Sequence, residues 1–376
     1  MRNENDKINY IDEIKNENNK QPQNAKAKHY SPSDASIAFI LSLVVPQVLM
    51  ILLFVILGKE FISSILVSAL VPQLCFFGVF MFISHKKRVD VKQATALNFK
   101  INIWVLLLVL VIGIVSMFGF SPLITLFDTI TSSWGYQSAV SNIDVGTLGK
   151  LFGCIFYAAL LPSICEELIF RGIITNGLKK YGTITAVVLS SVLFALMHQN
   201  LQQLIYQLFL GGVMAYIVLK TGSIIYTMLL HFFNNFVILL SAHLFGETEA
   251  TVDLSNAWNI IKPILIAIAA VLIVVGILFV INIILKKSNK KQLAIVSTEN
   301  MQDANSQTHS TNVENESKNF EQNNNQTQSA SATNFLQDSI NRADAQTKFY
   351  KNPYVISAII VGVVFWIFVV ISMFKA

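Results

Sequence analysis

Apolar residues run along this chain in long blocks separated by short polar stretches. A helix that crosses a membrane needs about 20 consecutive, mostly apolar residues. Nine stretches reach or approach that length: 36–57, 61–84, 102–120, 148–170, 183–199, 203–219, 223–244, 258–284 and 353–374. The fifth and sixth are short, which predicts tilted or partly enclosed helices. The pattern predicts an all-α fold, a polytopic transmembrane bundle of about eight core helices with one further C-terminal helix. Before that last helix the pattern fails. Residues 286–352 hold runs such as Glu321-Gln322-Asn323-Asn324-Asn325-Gln326. Such a segment buries too little apolar surface to offset its ordering entropy, which predicts a disordered linker.

The resulting organisation is a polar N-terminal segment (1–34), N-terminal transmembrane helices (35–146), a core rich in polar motifs (147–245), a transmembrane helix (257–285), the linker (286–352) and a C-terminal transmembrane helix (353–374). Composition agrees with a membrane solvent. The chain is 53% hydrophobic and 13% charged, against about 25% charged in soluble proteins. The net charge of +5 falls largely in short loops. It therefore reads as topology rather than nucleic-acid affinity. Lys86, Lys87, Arg88, Lys92 and Lys100 fill the second loop, and 121–147 holds no Lys or Arg. Lys179, Lys180 and Lys220 continue the alternation, the loop 246–257 is acidic, and Lys286, Lys287, Lys290 and Lys291 follow the eighth span. This places the N-terminus and the linker in the cytoplasm and the C-terminus outside, in the cell membrane. No secretory signal precedes the first span. Cys75, Cys154 and Cys165 lie in apolar runs and read as small buried hydrophobes.

Charge inside the apolar blocks changes the picture most. Glu166, Glu167 and Arg171 interrupt the fourth span. Each charge at membrane depth costs roughly 2.5–3.5 kcal/mol on insertion scales. His198, His231 and Asn235 interrupt later spans. Counted from the turn at Lys179–Gly182, Glu166 and His198 both lie roughly 20–24 Å deep. Counted from Gly222, His231 and Asn235 lie about 14–20 Å deep. Residues four apart share a helix face, which pairs His231 with Asn235, Glu167 with Arg171 and Phe194 with His198. Adjacent Glu166 and Glu167 stand about 100° apart, so they cannot both point at one site. The Glu167–Arg171 pair neutralises itself and leaves Glu166 free for chemistry. Pro162 predicts a kink just before these residues. Asn234 and His243 read as helix–helix contacts.

The sequence lacks His-Glu-x-x-His, Gly-x-Ser-x-Gly, a Walker loop and Gly-x-Gly-x-x-Gly. Nucleotide use is therefore unsupported. The ordered motifs Glu-Glu-x-x-x-Arg (Glu166, Glu167, Arg171), Phe-x-x-x-His (Phe194, His198) and His-x-x-x-Asn (His231, Asn235) resemble the CPBP family. This is the CAAX-protease and bacteriocin-processing group of membrane-embedded proteases, also called Abi. Phe170-Arg171-Gly172 and Thr221-Gly222-Ser223 extend the resemblance, which covers about 147–245.

The resemblance implies a membrane endopeptidase acting on a membrane-associated peptide, a leader peptide or a lipidated, CAAX-like protein. It implies that Glu166 activates water with His198 as partner. His231 and Asn235 would steady the oxyanion, while Glu167, Arg171 and Phe194 support the architecture. No cofactor is required by the motifs, and zinc stays open, since Glu166, His198 and His231 could furnish three ligands. Two other readings stay open as well. One is a non-catalytic peptide-binding protein of the bacteriocin immunity or scaffold type. The other is a proton-coupled transporter, which wants a repeat that is not evident.

Overall fold

The computed structural model describes residues 29–136, 144–246, 251–307 and 349–374. These residues form helices, and among them the β-type pairing is an isolated bridge between Tyr136 and Phe374. The labelled helices are α1 (Pro32–Leu57), α2 (Ile65–Lys87), α3 (Ile103–Ser133), α4 (Leu148–Tyr181), α5 (Thr183–Met197), α6 (Leu204–Thr221), α7 (Ile225–Phe245), α8 (Ala257–Gln307) and α9 (Pro353–Ser372). Eight of them are long and apolar enough to cross a membrane, and α5 is the shorter exception. The protein is an all-α, multi-pass membrane bundle.

Of the helix boundaries that differ from the sequence expectation, three have a reason that can be named. First, α1 begins at Pro32 rather than at 36. Ser31 caps it, and Asp34 bonds back to the Ser31 backbone N–H, forming a capping box that turns a polar residue into part of the helix. Second, α3 continues past 120, through Pro122, to Ser133. At membrane depth the backbone gains most by staying helical, because no water replaces a lost bond. Thr125 and Thr129 hydroxyls bond the carbonyls four residues back along this stretch.

Third, α8 runs to Gln307, past the expected end at 285. The first part of the segment read as a disordered linker is therefore helical. Residues 286–307 contain neither Gly nor Pro, so nothing local stops the helix. The rest of that linker, 308–348, lies outside the described residues, as do residues 1–28 of the N-terminal segment.

Contacts sort the helix ends into two sets. Lys87 pairs with Asp34 at 2.9 Å, Ser223 donates to the Asn98 carbonyl at 2.5 Å, and Asn102 N–H donates to Tyr226 at 2.7 Å. These bonds gather the basic loops at one end of the bundle. At the other end Tyr136 accepts from Leu201 N–H, and Thr129 accepts from Val252 N–H.

Inside the bundle, α5 and α6 form a hairpin, and α7 lies between α3 and α4. α8 packs along α3, and α9 lies on α1 and reaches α5. At the α9–α1 crossing a Cβ on Gly362 would meet the Phe39 ring at 2.9 Å, so the absent side chain permits the approach. Outward faces carry exposed Val55, Phe118, Leu272 and Phe368, as lipid contact requires.

Candidate active site

α4 is the helix that departs most from regular geometry. It contains two π-helical stretches, Ile155–Leu160 and Leu168–Thr175, with the α-helical segment Leu161–Glu167 between them. Single-turn π segments recur at functional sites. The first stretch answers to Pro162. A proline has no N–H for the carbonyl four residues earlier, which here belongs to Ala158. That carbonyl instead accepts a bond from Asn235 Nδ2 of α7 at 3.2 Å. The expected kink thus takes the form of a widened helix, with its spare acceptor satisfied from a neighbouring helix.

The two adjacent glutamates part company, as their angular separation requires. Glu166 lines a cavity of about 610 Å³ shared with His198, Tyr206, His231, Asn234 and Asn235. Glu167 points away from it and is fully buried, pairing with Arg171 at 2.9 Å. Arg171 is equally buried. Its guanidinium carbon lies 4.3 Å from the centre of the Phe194 ring, and Nη2 donates to the Gly211 carbonyl at 3.4 Å. Such a desolvated cation–π contact contributes about 2 kcal/mol. Phe194 also meets the His198 ring edge-on at 4.7 Å and the His231 ring at 6.2 Å. A Cβ on Gly211 would press on Phe194 at 3.0 Å, so α6 approaches α5 closely just where Phe194 is held.

Both imidazoles have one nitrogen committed. His198 is the residue at which α5 ends, and Gln199 turns the chain through a left-handed conformation (φ 49°). Its Nδ1 lies 2.9 Å from the Phe194 carbonyl, an acceptor, so Nδ1 carries the hydrogen. His231 Nδ1 lies 3.1 Å from Glu167 Oε1 and donates to it by the same logic. The remaining nitrogen of His231, Nε2, is 4.0 Å from Glu166 Oε2. The chain Arg171–Glu167–His231 therefore fixes an imidazole beside Glu166, in the way a buried carboxylate orients a catalytic histidine elsewhere.

Asn234 and Asn235 share a second network. Tyr206 donates to Asn234 Oδ1, and Asn234 Nδ2 donates to Asn235 Oδ1 at 3.2 Å. With one hydrogen of its amide on Ala158, Asn235 keeps a second for a ligand. Asn234 is thus the helix–helix contact the sequence suggested, yet it also lines the cavity. His243 is not near it and bonds the Val145 carbonyl at 2.6 Å.

Among the described residues, no group of three or more His, Cys, Asp or Glu side chains is disposed to hold a metal ion. Glu166, His198 and His231 face one cavity without converging as a zinc-hydrolase ligand set would.

Sequence reasoning missed Gln73 and Tyr206. Gln73 of α2 donates to Glu166 Oε1 at 3.0 Å. The available signal was a lone amide after Pro72 inside an apolar span. Tyr206 looked like one aromatic among many.

Residues 149–237 match the family model described as type II CAAX prenyl endopeptidase, Rce1-like. This stretch is similar to Rce1-like CAAX endopeptidases, in keeping with the resemblance its motifs carry. No curated protein matches the chain. The matched segment holds every motif residue from Glu166 to Asn235, and it supports a protease of the intramembrane kind. Gln73 lies outside it, on a helix that the match does not reach.

Proposed function

We propose that the protein is an intramembrane endopeptidase that hydrolyses a peptide bond of a membrane-associated or lipidated substrate, with Glu166 as general base. The observation that carries this reading is the division of labour between the two glutamates. One is sealed against Arg171, and the other is open to a cavity beside an oriented imidazole.

In the proposed reaction a water in the cavity gives a proton to Glu166, aided by His198, and its oxygen adds to the scissile carbonyl carbon. The carbonyl electrons move to oxygen. That oxyanion takes a hydrogen bond from the free amide hydrogen of Asn235 and one from His231. To donate from Nε2 while Nδ1–H is given to Glu167, the His231 ring must carry both protons; since Glu167 already answers Arg171, that charge is balanced by Glu166 before the attack and by the oxyanion after it. Collapse breaks the C–N bond, and Glu166 returns the proton to the departing amine. Donors held in place in a water-poor site stabilise such developing charge more than water does. No step needs a metal.

The gathering of basic loops at one bundle end supports a cytoplasmic assignment for that end, by the excess of Lys and Arg in cytoplasmic loops. The N-terminus then lies in the cytoplasm of a cell-membrane protein, with the end of α9 outside. The lipidated or CAAX-like class of substrate comes from the family description.

The test compares membrane-associated peptide termini in cells carrying the wild type with those in cells carrying Glu166→Gln at equal abundance. A terminus found only with the wild type supports the reading and names the substrate. Identical termini, with both proteins inserted, favour the peptide-binding immunity or scaffold reading instead.

A further inference from the structure

We infer that Gln73, on α2 and outside the family-matched segment, is a positioning residue that aims the Glu166 carboxylate. This rests on the proposed role of Glu166 as base.

A glutamate side chain has two oxygens and several rotatable bonds. To act as a base it must present one oxygen to water in a fixed direction, and misplacement by about 1 Å can cost on the order of 100-fold in rate. Neighbours on its own helix cannot supply that restraint here. Glu167 and Arg171 form an ion pair behind the site. Cys165 is a buried thiol. From α7, His231 approaches Oε2 no closer than 4.0 Å. From α5, His198 spends its Nδ1 on the Phe194 carbonyl, and its Nε2 is the nitrogen left to face water rather than to hold the carboxylate. The restraint comes from α2. Gln73 Nε2 donates to Glu166 Oε1 at 3.0 Å, leaving Oε2 as the oxygen on the His231 side. The amide must meet the carboxylate through its NH₂ group, because its oxygen would face another acceptor.

The rest of Gln73 argues against simple structural glue. The residue is buried, at 8% exposure, and its Oε1 has no hydrogen-bond partner among the described residues. A buried acceptor left unmade costs roughly 1–3 kcal/mol. A residue that served stability alone would be better replaced by an apolar one of the same length. Its bond to Glu166 is what the site gains from it. α2 is also well held for such a task, since Lys87 at its end pairs with Asp34 of α1 at 2.9 Å.

The experiment uses the full chain in lipid nanodiscs and the variant Gln73→Met, which removes the donor at nearly constant volume. A carboxylate stretching band is first assigned to Glu166 as the infrared difference between wild type and Glu166→Gln. That band reports hydrogen bonding to either oxygen and needs no substrate. In Gln73→Met the band is expected to shift, while thermal stability stays the same or rises. On a peptide that the wild type cuts, kcat is expected to fall about 10- to 100-fold with KM little changed.

An unshifted band overturns the inference. So does a normal kcat, or a loss of stability that accounts for the lost activity. A wild type that cuts nothing sinks the proteolytic reading, and the infrared band then still decides whether Gln73 holds Glu166. Should Gln73→Met fail to accumulate, Gln73→Asn is read in the same assays with the same expectation, since it withdraws the amide by one methylene.

Discussion

Glu166 and Glu167 are consecutive in sequence and opposite in circumstance. Glu167 is wholly enclosed, with Arg171 and His231 both on its Oε1. Glu166 keeps 13% of its side chain accessible and faces the cavity, touched by Gln73 and approached by His231. One carboxylate is neutralised where it lies, and the other remains available. The difference teaches how a membrane protein can carry a reactive acid at depth. The charge that does no chemistry is paired and sealed, and through His231 it also orders the site of the charge that does.

Arg171 is the sharpest place to break the sealed half. Arg171→Met leaves Glu167 buried and unpaired, which should destabilise the bundle by about 3–5 kcal/mol. The drop is read as a lowered melting temperature in detergent. Adding Glu167→Gln to that variant removes the stranded charge and should restore part of the loss. No loss in Arg171→Met would mean that the pair is not a structural element.

Asn235 tests the open half. Asn235→Ala removes the proposed oxyanion donor and should lower kcat by about 10²–10³, with the substrate still bound. A variant that loses binding and keeps its rate would move Asn235 out of that role. The smallest effect belongs to Tyr206. Tyr206→Phe leaves Asn234 Oδ1 without its donor, and the loss should be about 1 kcal/mol, or roughly fivefold in rate. A Tyr206→Phe enzyme as impaired as Asn235→Ala would show that the phenol itself touches the substrate.

How much of this could be read beforehand depends on where the information lay. Helical spacing was enough to pair Glu167 with Arg171, Phe194 with His198 and His231 with Asn235, because such pairs are set by one helix. The depth count placed residues of three helices at one level, and they do line one cavity. Partners that come from other helices were not legible. Nothing in the surroundings of Gln73 or Tyr206 names Glu166 or Asn234, since those contacts depend on how α2 and α6 rotate against α4 and α7. The answer to Pro162 was equally hidden. A proline announces a free carbonyl, but not that Asn235 will occupy it. Helix ends were misjudged where polar residues were taken as stops, at Asp34 and beyond Leu285, although a capping box and an uninterrupted helical run use them.

The contrast between the two glutamates is tested most directly by measuring cleavage and melting temperature together in Glu166→Gln and Glu167→Gln. The account predicts that Glu166→Gln melts like the wild type and cuts nothing, whereas Glu167→Gln melts lower. Full cleavage by Glu166→Gln, or a Glu167→Gln protein as stable as the wild type, would contradict it.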